Sequence, residues 1–541
     1  MPANVPDFET DARRMAAQLE KGKYFVLLVL TICYAAGAML HARGKPLWYD
    51  EIFTVIAASA PDAAGTWKLA QQVDASPPLT HLLTHFAMRW FGAGEVATRL
   101  PAIAGFWIFC LCLFWFVRRR LGIFYGLAAL LLPIATEAYD YSYEARAYGP
   151  ELAFCGLMLV AWQAATSSGW AQKRLGHAAA CAMLALSLIG ALMCHYYAIL
   201  LYVPLAGGEA YRSWKARRTD WGLWAAMALG AAPLVWRMAT IRAVVGGFSQ
   251  VSWSPPYPID VLAFWEDGLQ PTLSVLVLAL AALAVWAVRA WKSPGSSSPP
   301  TPPPTPPAEQ PSSLPAHEIV AGILFLTIPA LAVAAGMLVT HLYSARYALA
   351  GLTGVMLLLP AVAARLSGGR SLPAYLMLAL ALVRPIVAMT TAPPPQDVVA
   401  GEFVLAHALG GAPEQGPVVV ADGQTFVQIW YYLPARLKSK IVFLVDREAS
   451  VKYRTFNTAA IDTALADARQ FCGLPVIDYR DFVTAGKDFR VLQNPLKPGW
   501  LLDKIAADGG TEAIEQYTKL RQLYRVRMPG GGRSSATAAF R

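Results

Sequence analysis

Repeated apolar runs dominate this chain. Most are roughly 17 to 22 residues long, enough for each to span about 30 Å of bilayer hydrocarbon as a helix. Backbone polar groups in lipid must be satisfied within the segment, so such runs point to helices and exclude open sheets. The runs lie at 24–42, 97–117, 121–137, 149–166, 176–194, 197–211, 221–240, 270–290, 317–339, 347–366 and 371–391. They predict an all-α polytopic membrane protein with about eleven transmembrane helices. Composition agrees, with 56% hydrophobic and 15% charged residues among 541.

The net charge of +10 is distributed as a topology signal rather than a nucleic-acid footprint. Basic residues cluster at 118–120, 172–174, 212–218 and 289–292, and at Arg365 and Arg370, in every second loop. This is the positive-inside pattern. Arg13, Arg14, Lys21 and Lys23 precede the first run, and "HARGKP" after it makes a poor cleavage site, so the run reads as an uncleaved helix with a cytoplasmic N-terminus. An odd number of spans then places everything after residue 391 outside, as expected of a cell inner-membrane protein. Six of the seven cysteines fall in predicted helices and read as small apolar residues.

The expected organisation is a transmembrane catalytic domain over 1–391 and an extracytoplasmic α/β domain over 392–541. Residues 43–96 form a first outer loop whose pieces "TWKLAQQV" and "LTHLLTHFAMRWFG" are amphipathic and suited to the interface. Residues 293–315 form a Pro/Ser-rich cytoplasmic linker. After 392, "PVVVA" and "KIVFLV" read as strands, "GQTFVQIWYYLP" and "GWLLDKIAAD" as helices, and "LYRVRMP" as a last strand.

The polar residues that invite a chemical reading all fall on the predicted outer side. In "GKPLWYDEIFT", Asp50 and Glu51 follow the first span closely, and ionised groups there are costly unless they have a function. Adjacent residues do not share a face, so one carboxylate points into a cavity while the other is solvated or holds a partner. Asp50 suits a general base; an ordinary juxtamembrane charge pair is the alternative. The second outer loop, "EAYDYSYEARAYGPE", carries Glu137, Asp140, Glu144, Arg146, Tyr148 and Glu151. Arg146 can form a two-pronged bond to phosphate, or a salt bridge to Glu144 or Asp140 that shapes the loop. In "HLYSARYALAG", Arg346 stands near Tyr343 and must enter a bundle cavity or snorkel. His195 and Tyr196 in "CHYY" read equally as ligand contacts or as an interfacial belt. His81 and His85 share a helical face, but no glutamate follows His81 as a zinc-protease signature requires.

A carboxylate, arginines and an apolar groove at one membrane face suit a sugar carried on a lipid phosphate. No glycine-rich nucleotide cradle is present in the sequence, so no nucleotide cofactor is expected. A transporter, flippase or binding protein for lipid-linked sugars is the rival reading. It calls for mid-membrane polar residues and internal repeats, which the sequence lacks.

The motifs "WYDEIFT", "DASPPLTHLLTHFAMRWFGAGEVATRLPAIAGF", "YSYEARAYG", "HYY" and "SARYALAG", in that order, resemble the GT-C membrane glycosyltransferases. The chain is similar in particular to the bacterial branch related to protein O-mannosyltransferases and the lipid A aminoarabinose transferase. The resemblance implies a GT-C fold, a polyprenyl-phosphate sugar donor and an extracytoplasmic acceptor that is a lipid, glycan or protein. It implies that Asp50 is the base with Glu51 as its acidic neighbour, that Arg146 and Arg346 lie near the donor phosphate with Tyr343 and His195, and that Arg99 braces the loop. Asp140, Glu144, Tyr148, Tyr196 and His81 complete the expected support. Some relatives bind a divalent metal and others do without. Ser76 stands where many relatives carry a histidine before "PPL".

Overall fold

A computed structural model describes residues 8–391 and 403–529, apart from 75, 168–173, 251, 253, most of 271–312, 368–369, 411–416, 454–455, 486–487, 497–498 and 519–520. The expected span 270–290 and the Pro/Ser linker lie largely outside the described residues.

Among the described residues, four helices are long and apolar enough to cross a membrane, at Glu9–Gly44, Glu95–Leu121, Leu175–Cys194 and Ala345–Leu366. A fifth span arises if Ala316–Phe325 and Ile328–Thr340 are counted as one, bent by 43°. Shorter apolar helices occupy Ile123–Ala135, Trp221–Trp236 and Leu372–Arg384. The departures from uninterrupted spans fall near prolines, as expected of a residue that removes an amide donor and crowds the preceding turn. The 121–137 run turns 3₁₀ at Leu132–Ala135, around Pro133. The 221–240 run divides into Trp221–Gly230 and Ala232–Trp236, with Pro233 in the first turn of the second piece. Pro329 opens Ile328–Ala335 just after the 43° bend.

Two helices cross unusually closely. A Cβ on Gly149 would lie 2.3 Å from the Ala102 carbonyl oxygen, and one on Gly105 would lie 2.6 Å from the Gly149 backbone. Only glycine permits this approach between Glu95–Leu121 and Tyr148–Thr166. The crossing sets Arg99 and the residues just before Tyr148 against the segment after the first span.

The strands lie in the C-terminal part: β1 (Val418–Val420), β2 (Ile441–Val445), β3 (Val476–Asp478), β4 (Asp488–Gln493), β5 (Thr511–Tyr517) and β6 (Gln522–Arg527). They form one six-stranded sheet of order β3-β2-β1-β4-β6-β5. β1 to β4 run parallel, with Val419 opposite Val442 and Val491, while β6 is antiparallel to both β4 and β5. β1 and β2 are apolar throughout because both faces of the sheet are covered. One of the two cores beside the sheet also takes in Leu47, Ile52, Phe53 and Val55 from the segment after the first span.

Candidate active site

The helix Tyr49–Ala58 begins at Trp48, whose backbone N–H donates to Glu51 Oε2 at 3.2 Å. Asp50 and Glu51 diverge from that start. Glu51 is fully buried and meets Arg99, also fully buried, in a two-pronged pair: Nε to Oε1 at 2.7 Å and Nη2 to Oε2 at 2.6 Å. The Ala145 N–H donates to Oε1 at 2.7 Å. Arg99 spends its other donors on the carbonyls of Ala42, Lys45 and Pro46. Arg99 thus joins the end of the first helix, the loop and the carboxylate helix, while Glu51 has both oxygens occupied and lines no part of the cavity described next.

Asp50 faces the other way. It borders a cavity of about 380 Å³ together with Asp74, Ser76, Arg146, His195 and Arg346. Arg346 Nη2 donates to Asp50 Oδ2 at 3.1 Å. Arg146 Nη1 donates to Asp74 Oδ2 at 2.5 Å, and also reaches Thr54 Oγ1 and the Asp50 carbonyl. Its buried Nε has no hydrogen-bond partner among the described residues. Asp74 is further held by the Ser76 N–H at 2.9 Å and lies 3.3 Å from His81 Nε2. Burial alone would raise the Asp74 carboxyl, but Arg146 and His81 beside it hold it well below the ordinary carboxylate range.

Aromatic rings enclose the Arg346 guanidinium: Trp48 at 5.1 Å, Tyr148 at 5.8 Å and Tyr347 at 6.0 Å from ring centroid to Cζ. His195 packs against both Tyr347 and Tyr197, which also contact each other. Burial, with Arg146 and Arg346 nearby, lowers its pKa to about 3, so the imidazole is neutral. A base whose folded pKa lies below its ordinary 6.5 contributes full stability above that value and loses it progressively as pH falls toward 3. Melting temperature is therefore expected to fall on acidification below about pH 6.5. His195→Gln should flatten that fall when both proteins are scanned across pH by intrinsic fluorescence.

Much of the remaining cavity lining is apolar, including Ile199, Leu200, Leu234, Ile241, Val245 and Val339. The site therefore offers two cations and two carboxylates beside an apolar lining. Chemically, this suits an amphiphile with an anionic head next to a proton acceptor.

The other predicted residues are placed as follows. Tyr196 lines the cavity, and its hydroxyl accepts from Arg237 at 3.4 Å. Tyr343 does not line it; its backbone N–H is pinned to the Ser254 carbonyl at 3.0 Å. Glu144 pairs with Lys45 at 2.8 Å, and Asp140 with Arg384 at 3.0 Å, so neither is the partner of Arg146. Asp74 holds that place, and sequence reasoning missed it. The available signal was an acid three residues before "PPL". Arg237, buried and joined to Gln71 at 2.7 Å, was also missed; an arginine within an apolar run was its mark.

A divalent metal does not suit these residues. No group of three or more His, Cys, Asp or Glu side chains converges among the described residues. Asp50, Glu51 and Asp74 each already hold a guanidinium. No step below is routed through a metal.

No protein-family model and no curated protein matches this chain. Among solved structures, the chain is similar to ArnT from Cupriavidus metallidurans in the apo state, with a TM-score of 0.50 and 15% identity, over 93% of this chain and 98% of that one. The crystal structure of ArnT bound to undecaprenyl phosphate gives a TM-score of 0.47 at 15% identity, with the same coverage. At this identity the likeness shows the fold alone, and it extends over nearly the whole of both chains: the protein has the fold of ArnT.

Proposed function

We propose that this chain is a membrane glycosyltransferase that moves a sugar from a polyprenyl-phosphate donor to a hydroxyl of an extracytoplasmic lipid, glycan or protein. The observation that carries this reading is the cavity itself. Asp50, Asp74, Arg146 and Arg346 cluster in a cavity whose remaining lining is largely apolar. A prenyl chain suits the apolar lining, and a phosphodiester suits the guanidiniums, which bind phosphate oxygens in planar forks. The fold shared with ArnT supports the same reading.

In this mechanism the donor phosphate competes with Asp50 for Arg346 and with Asp74 for Arg146. Recruitment of Arg346 to the phosphate releases the Asp50 carboxylate. Asp50 then takes the proton of the acceptor hydroxyl as that oxygen attacks the anomeric carbon from the face opposite the phosphate. The sugar–phosphate bond breaks with inversion. The departing polyprenyl phosphate gains negative charge, which Arg146 and Arg346 stabilise. Glu51 acts structurally, holding Arg99 and the Trp48 and Ala145 amides, and the neutral His195 is a hydrogen-bonding group toward the sugar or phosphate.

The test is binding of undecaprenyl phosphate to the full-length protein in nanodiscs, followed by native mass spectrometry. Arg146→Ala and Arg346→Ala should each weaken binding about 10- to 100-fold, the range for losing a charge-assisted hydrogen bond. Lysine should restore only part of it, because an ammonium lacks the fork. Unchanged affinity in both alanine variants would remove the phosphate from this part of the cavity.

A further inference from the structure

The segment carrying Asp50 is held from two sides, and only one side belongs to the helical bundle. Residues 46–48 adopt no regular secondary structure, so side chains must satisfy and fix their backbone. Arg99 takes the carbonyls of Lys45 and Pro46. The next residue, Leu47, is served from elsewhere. Its N–H donates to the Tyr432 hydroxyl at 2.7 Å, and its carbonyl accepts from Gln428 Nε2 at 3.0 Å. Gln428 and Tyr432 are four residues apart on the helix Gly423–Tyr432, and so share one face. The Tyr432 hydroxyl also donates to Glu95 Oε1 at 3.2 Å, tying the same point to the start of Glu95–Leu121.

Packing repeats the pattern. Ile52, Phe53 and Val55 of the carboxylate helix are buried in one core with Phe426, Val427 and Ile429 of Gly423–Tyr432, together with Val418 and Phe443 of the sheet. On the same short helix, Glu51 is anchored to Arg99 and Asp50 to Arg346. The helix bearing the carboxylate is therefore as much part of the C-terminal core as of the bundle.

We propose that Gln428 and Tyr432 are positioning residues for Asp50, which makes the C-terminal α/β part a component of the active-site apparatus. This inference rests on the reading of Asp50 as the base. Leu47 lies three residues before Asp50, and the clamp on its N–H and carbonyl fixes where the Tyr49–Ala58 helix starts. Releasing the clamp lets the helix N-terminus shift, and misplacement of a reacting group by about 1 Å costs up to 10²-fold in rate. Phosphate affinity, set by Arg146 and Arg346, should be spared.

The test uses the full-length protein in nanodiscs carrying Gln428→Leu and Tyr432→Phe together, changes that remove the polar atoms and keep the volume. Two readouts are taken. Amide hydrogen exchange of residues 44–53 should rise about tenfold while exchange in 97–117 stays at the wild-type level. With undecaprenyl-phosphate-linked hexoses and pentoses as probes, kcat should fall about 10- to 100-fold with KM for the donor unchanged. Gln428→Glu, which keeps the length but offers no donor to the Leu47 carbonyl, should reproduce the double variant's defect when combined with Tyr432→Phe. Wild-type exchange in 44–53 overturns the proposal, as does an unchanged kcat in an active protein. A rise in exchange throughout the chain would show a merely structural role and overturn it equally. If the wild type turns over no lipid-linked sugar, the reading of Asp50 fails by itself, and the exchange measurement still decides whether the clamp positions the loop.

Discussion

Asp50→Asn is expected to lower turnover of a prenyl-phosphate sugar by about 10²- to 10⁴-fold, the span typical of losing a positioned general base. Asparagine keeps the shape of the side chain and still presents an oxygen to Arg346, but it cannot take a proton at neutral pH. Arg346 loses an ionic partner in this variant and is freer to engage the donor phosphate. Donor affinity should accordingly stay at the wild-type level or improve, while the chemical step stalls. Single-turnover release of polyprenyl phosphate, read beside equilibrium binding of undecaprenyl phosphate, separates the two effects. A fall in both together would mean that Asp50 binds the donor instead of activating the acceptor.

Arg99→Met is expected to be the most destabilising single change around the site, at about 3 to 5 kcal/mol. It removes the guanidinium from the buried Glu51 carboxyl, and it strips the carbonyls of Ala42, Lys45 and Pro46 of their donor. Glu51→Gln should cost less, because Arg99 keeps its three carbonyls and the amide oxygen still accepts. A double change, Glu51→Leu with Arg99→Met, should recover part of the loss, since burying neither charge avoids the desolvation penalty. Unfolding midpoints of the detergent-solubilised proteins provide the comparison. Equal midpoints for Arg99→Met and the wild type would remove this pair from any structural role.

The helical character of the chain and the strands "PVVVA" and "KIVFLV" were legible because both signals are local: apolar run length for a span, short continuous apolar runs for a covered strand. The interruptions at Pro133, Pro233 and Pro329 were also written in the sequence, but hydropathy windows average over them. The site was legible only in its members. Asp50, Arg146, His195 and Arg346 stood out as charged or polar residues at the ends of apolar runs, and they do border one cavity.

Their pairing was not legible. Asp50 meets Arg346 across 296 positions, and Arg146 meets Asp74 across 72 in place of Asp140 or Glu144 beside it in sequence. Such partners are chosen by tertiary packing, which no local pattern in the sequence records. Glu51 shows the same limit. Next to Asp50 it looked like a second chemical group, yet the rotation of about 100° between neighbouring residues on a helix sends it into the core. The hold of Tyr432 and Gln428 on Leu47, more than 380 positions away, has no local trace at all.

The central claim is transfer of a sugar from a prenyl phosphate. It is tested most directly by measuring release of polyprenyl phosphate together with the anomeric configuration of the glycosylated product, using the full-length protein in nanodiscs with prenyl-phosphate sugars and extracted envelope acceptors. One lipid phosphate is expected to be released per sugar transferred, with the anomeric configuration inverted. Transfer with retained configuration would contradict the single displacement assisted by Asp50, and binding of donor without release on any acceptor would contradict the transferase reading itself.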